Sequence, residues 1–515
     1  MNKLIISISI ALTVLAVAVS AYFVFQKYHP EPLTSKCGDG ICDGKERINA
    51  KLCPRDCKKQ QILQSKAGLI SGIKIDNLSV SAGIPPSEMS YNKELTETNF
   101  KLAKELGVDY VLIPIIYSDS GWAQKSMDYY HIIGLAKKYN ISILPAFYKL
   151  GGNDDKNYEK YANFVISFLD EFYDEKEMNY IELQNEPIQD YDGKKSAHFS
   201  GTPADLAKSD IAAYNKVKEK YPYINVGTAG FLASAADSDE NKVMNSYYKE
   251  YFSAKPKFDF LALHFYPKKS SYIQTAKGEG VEYNFLSEAE VYKTYRQLLN
   301  DYGYAGKSIF VTEGAVDMPF KNADGPPNFD WRSDDEIMIL LAERFVLTLS
   351  ESKERNIIGL MTSNIKSTES LKNTGLFFFD STTEDYETTK QFNFYKNLLN
   401  FFKKYPYYSK RIAGNFNSTN YWVEEFSDAN GKKAWIAFTP FLFWAETQPI
   451  IKQGKQISAP SAIKKSATSP QEIILDMETI KSFKISSLSK TDAMVVKDGK
   501  IIFTLNKEPL FIEQE

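Results

Sequence analysis

From about residue 61 the sequence alternates short apolar runs with longer amphipathic stretches, and no other feature constrains the fold as strongly. A strand–helix–strand order sustained in this way is satisfied by a parallel sheet with helices packed on it. Eight candidate strands can be counted, near Leu69–Ile75, Tyr110–Ile116, Ile141–Phe147, Tyr180–Leu183, Ile224–Gly227, Phe258–His264, Ser308–Thr312 and Ile357–Met361. Between them lie helical patterns such as Leu95 to Leu106, where Phe100, Ala103 and Leu106 share a face and Gly107 offers a stop. Ser333-Asp-Asp-Glu336 reads as a capping box opening a helix with Ile337, Leu340, Leu341 and Phe345 at helical spacing. The expected fold class is α/β, a (β/α)8 TIM barrel over 61–404. After an amphipathic stretch from Phe392 to Phe402 the texture changes at Lys404-Tyr-Pro-Tyr-Tyr408. Alternating runs such as Tyr421–Phe426, Ala434–Phe438, Ser482–Ile485, Asp492–Val496 and Ile501–Leu505 follow, with turn signals at Asp428–Gly431 and Lys497–Gly499. They predict a C-terminal all-β, sandwich-like domain over 405–515, interrupted by a polar loop or hairpin excursion from Lys452 to Gln471.

Within the barrel region one strand ends abruptly. Tyr180, Ile181 and Leu183 form an apolar run that stops at Asn185-Glu186-Pro187, because proline cannot donate to a sheet ladder. Asn185 and Glu186 therefore stand at a carboxyl strand end, where barrels of this kind gather their reactive side chains around one pocket. Lys307-Ser-Ile-Phe-Val-Thr-Glu313-Gly also closes on a glutamate. Two carboxylates at two strand ends are the minimum equipment for cleaving a glycosidic bond.

The amino terminus carries Lys3, an uncharged run from Leu4 to Phe25, and then Lys27. That run is long enough for one membrane span, so residues 1–27 read as a signal anchor with the rest of the chain outside the cytoplasm. Ala16-Val-Ala18 and Val19-Ser-Ala21 are candidate cleavage sites that would instead release a secreted protein. All four cysteines, Cys37, Cys42, Cys53 and Cys57, fall in a short module over 28–60. In an exported chain they read as two disulfides with the pairing open. Zinc is the weaker alternative in that compartment, and Asp39, Asp43 and Glu46 among glycines leave a minor calcium reading. The formal charge is −3 and no Lys/Arg block is present, which argues against nucleic acid and favours a neutral substrate.

Three motifs on the fourth, sixth and seventh candidate strands carry a resemblance. Asn185-Glu186-Pro187, Leu263-His264-Phe265-Tyr266-Pro267 and Val311-Thr312-Glu313-Gly314 resemble those of retaining glycoside hydrolases of the clan A (β/α)8 superfamily, over about residues 65 to 400. The C-terminal domain is similar to the sandwich that several clan families append. The resemblance implies Glu186 as general acid/base, Glu313 as nucleophile, and Asn185, His264 and Tyr266 as substrate-contacting groups. It implies neither a metal nor an organic cofactor. Two departures stand out. Leu112 occupies the second-strand position where the superfamily commonly has an arginine supporting the nucleophile, which unsettles the charge state of Glu313. The eighth strand lacks the aromatic that floors the reacting-sugar subsite, and Trp331 or Trp122 is the candidate substitute for stacking on a sugar face. The expected function is a membrane-tethered β-glycosidase acting on a polysaccharide or oligosaccharide; no sequence feature specifies an oligomer. The rivals are a transglycosylase on the same scaffold, a catalytically silent carbohydrate-binding protein, and a structural surface protein.

Overall fold

The computed structural model describes residues 69–514 apart from intervening segments, the longest being 76–92, 188–198, 315–333 and 458–470. The chain divides into two compact units, Met1–Lys66 and Ala67–Glu515. The first unit, with the proposed anchor and Cys37, Cys42, Cys53 and Cys57, lies outside the described residues. No helix among the described residues is long and apolar enough to cross a membrane.

All eight anticipated barrel strands are present. They are β1 (Ile70–Lys74), β2 (Tyr110–Ser118), β3 (Ser142–Lys149), β4 (Tyr180–Asn185), β5 (Asn225–Leu232), β6 (Phe260–His264), β7 (Ser308–Glu313) and β8 (Ile357–Thr362). Each pairs in parallel with its sequence neighbours, and β1 pairs with both β2 and β8, which closes the barrel. The helices between them are α1 (Lys93–Leu106), α2 (Tyr129–Tyr139), α3 (Tyr158–Phe172), α4 (Pro203–Lys220), α5 (Asp239–Ser253), α6 (Ser287–Asp301) and α7 (Asp334–Arg355); α8 (Lys390–Lys404) follows β8.

Local chemistry sets the helix ends. At the end of α1, Gly107 adopts φ +79°, and its N–H donates to the carbonyls of Ala103 and Lys104. Thr202 and Asp205 form a reciprocal capping box at the start of α4, with Pro203 in the first turn where its missing N–H costs nothing. For α7, Ser333 lies outside the described residues, so the anticipated box there is not described.

The outward side chains of the strands, such as Val111, Ile143, Ile181 and Leu261, join the helix faces in one apolar layer. The inward side chains differ by level. Near the amino ends Tyr110, Tyr180, Phe260 and Phe310 meet edge-on or tilted, with ring centroids 5.6 to 5.8 Å apart. Gly227 and Gly359 make room for them, since a Cβ at either position would stand 2.5 Å from the Phe260 or Phe310 ring. The barrel is thus packed with aromatic side chains at its base.

The C-terminal part is all β. One antiparallel sheet has the order β9 (Tyr407–Ala413), β10 (Trp422–Ser427), β11 (Lys433–Phe438), β16 (Leu510–Gln514), β13 (Phe483–Ser486). A second has the order β12 (Gln471–Asp476), β15 (Lys500–Leu505), β14 (Val495–Lys497). Val423, Trp435 and Ile512 of the first sheet share an apolar cluster with Ile473, Ile501 and Phe503 of the second, as in a sandwich. Ile450–Lys452 and Lys455–Ile457 pair as a hairpin that starts just ahead of the anticipated excursion from Lys452 to Gln471, most of which lies outside the described residues. Phe401 of α8 packs edge-on to Phe426 and tilted against Phe511, so the last barrel helix also covers one face of the sandwich.

Candidate active site

Strand β4 is buried along its whole length, with Ile181 and Leu183 facing the helices. The alternation of side chains therefore sends Glu182 into the barrel interior. The ladder between β4 and β5 slips between Leu183 and Asn185, and that between β7 and β6 slips between Val311 and Glu313. Both strands thus break register where they reach the anticipated glutamates, β4 at Asn185 just before Glu186 and β7 at Glu313, a device that re-aims a side chain at a strand end. Glu186 itself sits at φ +36°, a left-handed conformation costly for a residue with a Cβ, and its N–H donates to the Gly230 carbonyl at 3.1 Å.

These distortions bring three carboxylates around His264, at the end of β6. His264 is fully buried. Its Nδ1 lies 3.0 Å from Glu186 Oε1 and 4.0 Å from Glu313 Oε2, while Nε2 lies 3.0 Å from Glu182 Oε1. Burial alone would lower the affinity of the imidazole for its second proton, but the Glu182 and Glu313 carboxylates reverse that and hold its pKa well above the ordinary histidine value. Each ring nitrogen thus faces a carboxylate oxygen at hydrogen-bond distance. One oxygen of Glu186, one of Glu313 and a nitrogen of His264 all lie within 4.8 Å of one another.

A lysine completes the set. Lys74, the last residue of β1, places Nζ 2.9 Å from Glu313 Oε1, and the two side chains are only 14% and 5% exposed. In the β1–β2 ladder Lys74 is paired with Leu112. The cation that the sequence lacks at Leu112 therefore arrives from the neighbouring strand at the same level of the barrel. A triad of two carboxylates and an imidazole could in geometry cradle a divalent ion. Here the Lys74 ammonium already sits on one of the two carboxylates, Glu313.

Asn185 is buried at the tip of β4, and its Oδ1 has no hydrogen-bond donor among the described residues. Trp122 lies on a two-residue strand, Gly121–Trp122, that folds back antiparallel onto Tyr117–Ser118 at the end of β2. Tyr266 and Trp331 lie outside the described residues. Of the anticipated residues, Asn185, Glu186, His264 and Glu313 are thus brought to one end of the barrel.

Glu182 and Lys74 escaped the sequence reading. The signal was present for Glu182, since a carboxylate inside a strand that reads as buried is rarely a packing residue. For Lys74, flanked by Ile73 and Ile75, sequence alone gave no sign of its partner 239 positions away. Gly230 was silent too: a Cβ there would stand 2.2 Å from His264 Nε2 and 2.5 Å from Glu182 Oε1, so only glycine admits that pair.

No protein-family profile and no curated protein sequence matches the chain. Among solved structures, the fold is similar to a family 39 glycoside hydrolase from the gut symbiont Bacteroides cellulosilyticus WH2, with 13% identity and TM-score 0.56 over 87% of this chain and 81% of that one. It is also similar to a glucosidase from Croceicoccus marinus, with 12% identity and TM-score 0.55 over 87% of this chain and 96% of the other. At such identities the likeness is one of fold, and it extends over the barrel and the appended β-domain together.

Proposed function

We propose that this chain is a retaining β-glycosidase of the clan A type, with Glu186 as acid/base and Glu313 as nucleophile. The observation that carries the reading is the spacing of the two carboxylates, whose nearest oxygens lie within 4.8 Å. Retaining enzymes hold the pair roughly 5 to 5.5 Å apart, whereas inverting enzymes need roughly 6.5 to 9.5 Å to admit a water. In the first step a Glu313 oxygen bonds to the anomeric carbon as the bond to the leaving oxygen breaks, and Glu186 gives that oxygen its proton. In the second, Glu186, now a carboxylate, takes a proton from water, whose oxygen displaces Glu313 and restores it. The Lys74 ammonium sits against the Glu313 carboxylate, and the Oδ1 of Asn185, which has no donor among the described residues, suits a sugar hydroxyl as donor. The silent-binder reading rests on Leu112 and on the eighth strand, and Lys74, which supplies a cation beside Leu112, speaks against the first of these. Transglycosylation shares every step with a sugar hydroxyl in place of water. Tyr266, Trp331 and Trp122 remain the candidates for further sugar contacts.

The test is hydrolysis of an aryl β-glycoside, with the first-formed anomer read by NMR. Glu313→Ala should lose several orders of magnitude on every substrate. Glu186→Ala should be severe on natural sugars and mild in the first step on activated aryl glycosides, with azide restoring turnover and giving a β-configured product. An inverted wild-type product, or identical leaving-group dependence in the two variants, overturns the assignment.

A further inference from the structure

We propose that Glu182 is a positioning residue for the acid step: its buried carboxylate keeps His264 protonated on both nitrogens, and His264 thereby confines the transferable proton of Glu186 to Oε2, the oxygen it does not touch. The proposal rests on the reading of Glu186 as acid/base. Glu182 has no solvent exposure, gives Oε1 to His264 Nε2 at 3.0 Å, and leaves Oε2 without a donor among the described residues. A carboxylate so placed is costly unless it faces a cation, and a neutral glutamine would satisfy the same packing more cheaply. The surrounding strands are nonetheless shaped to admit it: Gly230 on β5 gives up a side chain that would collide with both partners, and Ala146 is its ladder partner on β3.

The consequence lies at the other ring nitrogen. A neutral His264 bonded to Glu182 through Nε2–H would present a bare Nδ1 to Glu186 Oε1. The nearest proton able to fill that lone pair is the acid proton of Glu186 itself, which would then point at the ring and away from a leaving group. An imidazolium removes this trap, because Nδ1–H donates to Oε1 and the acid proton has only Oε2 left. During cleavage the proton passes from Oε2 to the leaving oxygen, Glu186 becomes a carboxylate, and His264 keeps both of its own protons. Among the described residues the charged groups facing the ring are Glu182 from β4, Glu186 just past its end and Glu313 from β7; Lys74 from β1 bears on Glu313.

Two measurements on the full chain test this. With only four histidines, 15N-histidine labelling resolves the ring states directly. At pH 7 one buried histidine should show two protonated nitrogens in the wild type, and Glu182→Gln should convert it to a neutral ring. The second measurement compares kcat/KM for a methyl and a 2,4-dinitrophenyl β-glycoside of the same sugar. Glu182→Gln should lower the methyl-to-dinitrophenyl ratio by about 10- to 100-fold, part of the 10²- to 10⁴-fold that a positioned acid supplies. Gly230→Ala, which keeps the carboxylate but wedges the pair apart, should move the ratio the same way, and with the wild-type spectrum it decides the matter if Glu182→Gln fails to fold. A neutral His264 in the wild type, or equal losses on both glycosides in both variants, overturns the proposal and leaves Glu186 as the acid. Equal losses in Glu186→Ala would overturn the reading of Glu186 and this proposal with it.

Discussion

Lys74→Met is the substitution whose outcome the geometry defines most sharply, because it removes a charge and keeps much of the apolar stem. The ammonium lies 2.9 Å from Glu313 Oε1, with both groups largely out of water. Two point charges at that distance attract by about 6 kcal/mol at an effective dielectric constant of about 20. Desolvation of the ammonium offsets part of this, and stripping one partner from a buried pair costs about 3 to 5 kcal/mol in measured cases. Lys74→Met should therefore lower stability in urea unfolding by about 3 to 5 kcal/mol, since it leaves the Glu313 carboxylate buried without its ammonium. Lys74→Arg, which keeps the charge, should recover most of that loss. In a Glu313→Ala background Lys74→Met should cost far less, because no carboxylate is left stranded. Equal losses with Glu313 present and absent would refute the reasoning and reduce Lys74 to a packing role.

Asp210 of α4 is wholly buried and accepts from Tyr251 Oη at 2.6 Å, and its desolvation raises its pKa to about 7. Between the ordinary aspartate value and 7 the folded chain holds a proton that the unfolded chain has released, so stability should fall as pH rises through this window, by about 4 kcal/mol in all. Asp210→Asn should flatten that dependence in urea unfolding at pH 4 and pH 8; an unchanged slope would dismiss Asp210 as its source. For the exported placement proposed from Leu4 to Phe25, deletion of residues 1–30 should move the protein from the high-salt-washed membrane fraction to the supernatant. A mature amino terminus at residue 19 or 22 on membrane-free protein would refute the anchor.

The barrel was legible because its period is carried by burial. Val111, Ile143, Ile181 and Leu261 recur at strand spacing since each must cover the sheet from the helices, and such a pattern survives in one sequence. In the β-domain, the strands Tyr407–Ala413, Gln471–Asp476 and Leu510–Gln514 do not announce themselves in the sequence, because an edge strand such as β9 carries little apolar signal and Leu510–Gln514 follows directly on a proline. The site was legible as far as side chains announce themselves at strand ends: Asn185, Glu186, His264 and Glu313. What stayed hidden was lateral. The Lys74–Glu313 contact joins the first strand to the seventh, and the Gly230 notch gains meaning only from the pair across from it. The register slips before Asn185 and Glu313 are invisible for another reason: they are backbone events that no residue type encodes uniquely.

The aromatic layer of Tyr110, Tyr180, Phe260 and Phe310 separates two properties that many enzymes must trade against each other. It fixes the barrel diameter at the level of the strand starts, where no reacting group lies, and strained or charged positions such as Glu186 and Glu182 are borne further up the same strands. Stability and chemistry are thus written into different rungs of one ladder. A lineage carrying such a scaffold can exchange the upper rungs, and with them its sugar, while inheriting the lower ones unchanged.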